Sequence, residues 1–113
     1  KAQDKYFFHV SMTKDIAGYK IEKHTDSEEN IFTILFFAPE NNINKEFGLH
    51  VYKDAGSELG AKFLDFIPNR MIAFAPCSPN KSRTPTWHEV KHLTEKLVGT
   101  RNSFQVFFYG SKA

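Results

Sequence analysis

The chain is poor in several things whose scarcity narrows the field. It has a single cysteine, Cys77, and therefore neither an internal disulfide nor a CxxC pair to build a sulfur-ligated metal site. No apolar run approaches the roughly 20 residues a membrane-spanning helix needs, and the N-terminus lacks the basic-then-apolar pattern of a secretory signal. Neither sign of charge dominates. The 15 Lys and Arg residues are interspersed with 13 Asp and Glu, leaving a net charge of +2 and no basic block of the kind that grips nucleic acid. Internal repeats, linkers and low-complexity segments are also lacking. These absences lead us to expect a cytoplasmic protein with no nucleic-acid or membrane partner. The chain opens at Lys1 rather than Met, close to its first strand-like stretch, as a fragment or a processed product does.

What the chain has in abundance is phenylalanine: 12 Phe in 113 residues, with aromatics at 15%. Large flat side chains suit a β-sandwich or barrel with a thin core. The length is that of one domain, over residues 1–113. Strand patterns recur at near-regular spacing, over Tyr6 to Met12, Gly18 to Lys23, Ile31 to Phe37, Gly48 to Lys53, Ala61 to Phe66, Met71 to Ala75, Thr86 to Lys91 and Arg101 to Tyr109. The third, nearly continuously apolar, reads as a strand covered on both faces. The Asn-rich stretch Glu40 to Lys45 and the Pro-rich stretch Pro76 to Pro85 read as loops. Only Asp54 to Leu59 and His92 to Leu97 read as helical turns. The expectation is an all-β jelly roll of about eight strands with few or no helices. The phenylalanines Phe36, Phe37, Phe104, Phe107 and Phe108 are expected to fill its interior.

Against this background one set of polar residues stands out. His24 and Asp26 follow the second strand pattern one residue apart, and His88 lies on the seventh, in Thr86-Trp87-His88-Glu89-Val90. Two imidazoles and a carboxylate can take one face of an octahedral metal and leave the other positions open, as at oxygen-activating Fe(II) sites. Arg101 and Ser103, also two apart, begin the eighth strand, where residues i and i+2 share a side.

In this order, on these strands, the motifs resemble those of the iron- and 2-oxoglutarate-dependent dioxygenases of the prolyl-hydroxylase-like group. The likeness runs from about Tyr6 to Tyr109. It is carried by Gly18-Tyr19-Lys20-Ile21-Glu22-Lys23-His24-Thr25-Asp26, Pro68-Asn69-Arg70-Met71-Ile72-Ala73-Phe74, Trp87-His88-Glu89-Val90 and Arg101-Asn102-Ser103. The resemblance implies a double-stranded β-helix. It implies that His24, Asp26 and His88 ligate Fe(II), and that Arg101 and Ser103 hold the distal carboxylate of 2-oxoglutarate. The fork of arginine donors suits a bidentate carboxylate contact. The implied reaction uses dioxygen to decarboxylate 2-oxoglutarate to succinate and carbon dioxide while hydroxylating an organic substrate: a peptide side chain, an amino acid or a small metabolite. An acid at position 26 argues against the halogenating variants of the fold. The alternative is a non-catalytic cupin-like module that binds a metal or a sugar. It has no need of Arg101-x-Ser103 opposite the ligands.

Other candidates read as ordinary. His9, His50 and His92 lack a partner at ligand spacing, Glu28 and Glu29 fit a solvated turn, Tyr19 fits packing and Cys77 fits a loop. Two features depart from the family. The N-terminal helices usual there have no counterpart, which would leave a sheet face bare and favour a homodimer where the chain is not a monomer. The glycine-rich element usual before the fourth strand is here Phe47-Gly48-Leu49, so substrate choice does not transfer. The stretches Ser27 to Asn30, Glu40 to Phe47 and Pro76 to Pro85 would frame the entrance.

Overall fold

The computed structural model describes residues 4–27, 29–54, 56, 61–75 and 86–112. Cys77, Glu28, the Pro76 to Pro85 loop and most of Asp54 to Leu59 lie outside the described residues. Eight strands are present: β1 (Asp4–Asp15), β2 (Ile21–His24), β3 (Asn30–Phe37), β4 (Leu49–Tyr52), β5 (Lys62–Leu64), β6 (Met71–Phe74), β7 (Trp87–Val90) and β8 (Arg101–Lys112). No helix occurs among the described residues, and His92 to Leu97 forms a turn closed by the Leu97 amide on the Thr94 carbonyl, at 3.0 Å.

The strands fall into two antiparallel four-stranded sheets, ordered β1-β8-β3-β6 and β2-β7-β4-β5. This is the strand order of a jelly roll, as the composition and spacing predicted. Its consequence for function is that β2 and β7 are neighbours in one sheet while β8 lies in the other, so residues far apart in sequence face one another across a narrow interior. The β1–β2 connection turns at Gly18, where φ is +96°, a conformation that favours glycine. It is then pinned to the segment after β7 by paired backbone bonds, Gly18 amide to Leu93 carbonyl at 2.7 Å and Leu93 amide to Tyr19 carbonyl at 2.9 Å.

The buried core is formed by Leu35 and Phe37 of β3, Leu49 and Val90 from the facing sheet, and Phe47, Phe66, Leu93 and Leu97 from the loops. Phe66 and Leu93 are sealed from solvent, and each such burial is worth about 1.5–3 kcal/mol.

Two expectations about the apolar strands are corrected. β3 is not covered on both faces: Thr33, Leu35 and Phe37 are buried, whereas Phe32 and Phe36 are exposed. Of the five phenylalanines assigned to the interior, Phe37 is buried and Phe107 lines an internal pocket. Phe36, Phe104 and Phe108 alternate to the outer face, where Phe36 meets Phe104 at 5.8 Å between ring centroids. The reason is the period of two. A strand written in apolar residues throughout does not say which face is covered. The outer face continues onto β1, with Tyr6, Phe8, Val10 and Met12 exposed, and onto Met71 of β6.

Candidate functional site

Antiparallel pairing of β2 with β7 sets His24 directly opposite His88, with ring centroids 4.3 Å apart. Asp26 lies two residues past the end of β2, within reach of both rings. Its Oδ1 is 3.2 Å from His24 Nε2 and 3.6 Å from His88 Nε2. One donor atom from each of the three residues lies within 4.8 Å of the others, a grouping that can hold a metal ion.

The tautomer of each ring follows from its other nitrogen. His24 Nδ1 donates to the Glu22 carbonyl at 2.6 Å, and His88 Nδ1 donates to the Thr86 carbonyl at 3.0 Å. A carbonyl only accepts, so in the neutral rings the proton sits on Nδ1 and the Nε2 lone pairs are free for a metal, whereas a protonated His24 donates from Nε2 to the Asp26 carboxylate. Such backbone anchoring is how ligating histidines are commonly oriented. Asp26 is steadied in turn by the buried Asn30, whose amide reaches Oδ2 at 3.4 Å and Thr33 Oγ1 at 3.2 Å.

The two imidazoles differ in surroundings. The hydrogen bond with Asp26 raises the His24 pKa above the ordinary histidine value, against a smaller opposing effect of burial. His88 sits against Phe74, 4.9 Å between centroids, and burial lowers its pKa. A neutral His88 beside the Asp26 carboxylate is a donor set suited to a divalent metal. The His24 side chain is 36% exposed and that of His88 only 9%, so the trio opens to solvent on the His24 side.

From these residues a cavity of about 170 Å³ runs between the sheets, past Tyr19, Thr33, Leu35, Phe74 and Phe107, to Arg101. Pockets for drug-sized ligands are usually some 300–1,000 Å³, so this one accommodates a small acid rather than a large ligand. At its far end Arg101 is almost fully buried, lying 5.1 Å over the ring of Phe66 and 5.5 Å from that of Phe37. Its Nε donates to the Phe47 carbonyl at 2.6 Å, Nη2 reaches the Gly48 carbonyl at 3.5 Å, and Nη1 pairs with Asp15 Oδ2 at 3.1 Å. Burial lowers the Arg101 pKa, with Asp15 opposing. Gly48 is required here, because a methyl group at this position would run into the Leu64 carbonyl of β5.

Ser103 is likewise engaged. Its hydroxyl shares a 2.6 Å hydrogen bond with Thr13 and accepts one from Gln105 Nε2 at 3.2 Å. The structure therefore brings His24, Asp26 and His88 together, and places Arg101 in the same pocket. Ser103 stands behind Thr13 and Gln105, which themselves line the cavity. Tyr19 lines the cavity too, with its pKa raised by burial and by Asp15. His50 does not. It lies on β4 beside a separate cleft with His92, its ring tilted against that of Phe63 at 4.7 Å between centroids.

Asp15, Thr13 and Gln105 are polar pocket residues without a signal among the motifs above. A signal for the first two was present in Ser11-x-Thr13-x-Asp15, a polar alternation against Val10 and Met12.

No family model matches the sequence, and no curated protein does. Solved structures do. A prolyl-4-hydroxylase from Pseudomonas putida superposes with a TM-score of 0.63 at 12% identity, over 90% of this chain and 52% of that one. A prolyl hydroxylase from Trichoplax adhaerens, in complex with a peptide fragment of the hypoxia inducible factor oxygen degradation domain, gives 0.61 at 17% identity, over 96% and 45%. This chain thus spans about half the length of the structures it matches. At these identities the likeness shows the fold: the jelly roll of the prolyl hydroxylases.

Proposed function

We propose that the chain is the core of an Fe(II)- and 2-oxoglutarate-dependent dioxygenase, and that it hydroxylates a peptide side chain, an amino acid or a small metabolite. The observation that carries this reading is the placement of a His–Asp–His group and a buried arginine at opposite ends of one small cavity. A metal-binding jelly roll has no use for the second feature. The fold shared with two prolyl hydroxylases supports the reading, and the peptide complex of one of them supports a peptide as substrate.

The residues present fit both groups. His24, Asp26 and His88 would hold the iron, their Nε2 and carboxylate oxygen atoms already directed at a common point. Arg101 would orient the distal carboxylate of 2-oxoglutarate through charge-assisted hydrogen bonds. When bound, the metal and cosubstrate supply the oxidative chemistry, while the protein supplies geometry, charge and a dry wall. Leu35, Leu49, Phe74, Val90 and Phe107 line that wall and keep bulk water away. The backbone bonds to both Nδ1 atoms prevent the rings from rotating as the cosubstrate enters. The cavity is too small for a cosubstrate and a second large ligand together, so the substrate approaches at the open His24 side.

The test needs no knowledge of the substrate. Metal-free protein is titrated anaerobically with Fe(II) and then 2-oxoglutarate, and the visible charge-transfer band of a bidentate chelate is followed. A saturable band that disappears in His24→Ala, with succinate formed on admitting air, supports the assignment. Bound iron with no band, and no succinate, favours the cupin-like alternative.

A further inference from the structure

The residue pair expected to receive the distal carboxylate is already matched by residues of β1. In the β1–β8 ladder Asp15 stands directly opposite Arg101 and Thr13 directly opposite Ser103. Residues at such positions share a face of the sheet, and both pairs are bonded: Asp15 to Arg101 at 3.1 Å and Thr13 to Ser103 at 2.6 Å. Asp15 is itself a lining residue of the cavity, with a side chain only 12% exposed. Arg101 cannot turn away to meet another partner. Its Nε is fixed on the Phe47 carbonyl, its guanidinium rests against the rings of both Phe37 and Phe66, and its side chain is 4% exposed. An incoming carboxylate must therefore come to the guanidinium where Asp15 already is.

Resting on the assignment of this pocket to a 2-oxo acid, we propose that Asp15 determines cosubstrate affinity and selectivity by occupying Arg101, so that a dicarboxylate binds only by displacing or sharing that ion pair. Asp15 is a specificity-determining residue that acts through Arg101. A 2-oxo acid with a distal carboxylate brings a second anion to one cation in a poorly solvated site. A 2-oxo acid with an apolar tail brings none. Placing a like charge against one ligand class is a recognised route to selectivity, and it is strongest where water is excluded. The wild-type site consequently shows little preference for 2-oxoglutarate over an apolar-tailed analogue such as 2-oxovalerate. Asp15→Asn keeps the shape and one acceptor but removes the competing charge.

The test measures dissociation constants for both acids from the chelate band of the Fe(II)-loaded protein under anaerobic conditions, with no turnover. The expected result is a wild-type preference for 2-oxoglutarate of less than about tenfold. In Asp15→Asn, 2-oxoglutarate tightens by about tenfold or more, while 2-oxovalerate changes by less than about threefold. Tightening of both acids alike would point to a general structural effect and overturn the proposal. So would an unchanged or weaker constant for 2-oxoglutarate. The wild-type measurement stands without the variant: a preference above roughly a hundredfold means Asp15 offers no obstacle, and the proposal falls while the oxygenase assignment stands. Bound iron with no band from either acid removes the assignment itself, and this proposal with it.

Discussion

The two ends of the pocket are built in opposite ways. At the metal end, three donor groups converge and are held from behind, by the Glu22 and Thr86 carbonyls and by Asn30, so that their front atoms remain available to a ligand. At the arginine end the same supporting role is reversed. Arg101 gives its donors to Phe47, Gly48 and Asp15, and Ser103 shares a hydroxyl hydrogen bond with Thr13. The first end presents its front atoms to a ligand, whereas the second is bonded to itself. Groups that hold the fold together cannot be altered without loss of stability, and groups kept in reserve for a ligand can be, so the two ends should separate cleanly under mutation.

The sharpest separation is expected from the residue beneath the arginine. Phe66 is fully buried and lies under both Arg101 and Phe37, the latter at 5.0 Å between centroids. Phe66→Ala is expected to cost about 3–5 kcal/mol in urea unfolding, through lost burial and the cavity left behind. The affinity of the protein that remains folded for Mn(II) should be unchanged. A loss of metal binding in step with stability would mean that the two ends are one unit.

His88→Ala reverses the pattern. Removing a ligand should lower Mn(II) affinity, read by calorimetry, by more than the roughly 10–100-fold that follows loss of a supporting hydrogen bond. Stability without metal should fall by only about 1 kcal/mol, the usual size of a single substitution. Asn30→Ala lies between. Asn30 touches only the far oxygen of Asp26, so a loss of roughly tenfold in metal affinity is expected, with the site still formed.

The same contrast explains what could be read in advance. The metal end was legible because its donors are rare residue types at strand ends, and strand pairing that brings β2 beside β7 does the rest. Arg101 was legible for the same reason. Asp15 was not, because the apolar strand pattern ends at Met12, and the polar alternation continues three residues further to the end of β1. Nor does an apolar strand announce which face is covered. Phe36 and Phe37 are neighbours in sequence, yet one is exposed and the other buried.

The smallest effect is the most discriminating. Thr13 bonds both Ser103, at 2.6 Å, and the Gln105 amide, at 3.2 Å. Thr13→Val keeps the branched shape favoured in a strand and removes only the hydroxyl. If Ser103 serves the fold alone, the result is a loss of about 1 kcal/mol in unfolding free energy and nothing more. If Ser103 also serves a ligand carboxylate, freeing its hydroxyl should cost the same stability and at the same time tighten 2-oxoglutarate by a few-fold, because a hydroxyl previously shared with Thr13 becomes available to donate to the cosubstrate. Gln105 also donates to Ser103, at 3.2 Å, so the serine keeps a partner when Thr13 is replaced and the gain stays small. Opposite signs for stability and affinity in a single substitution would show that the arginine end is a binding site held closed by its own strand. Loss of stability with affinity unchanged would show Ser103 to be a structural brace.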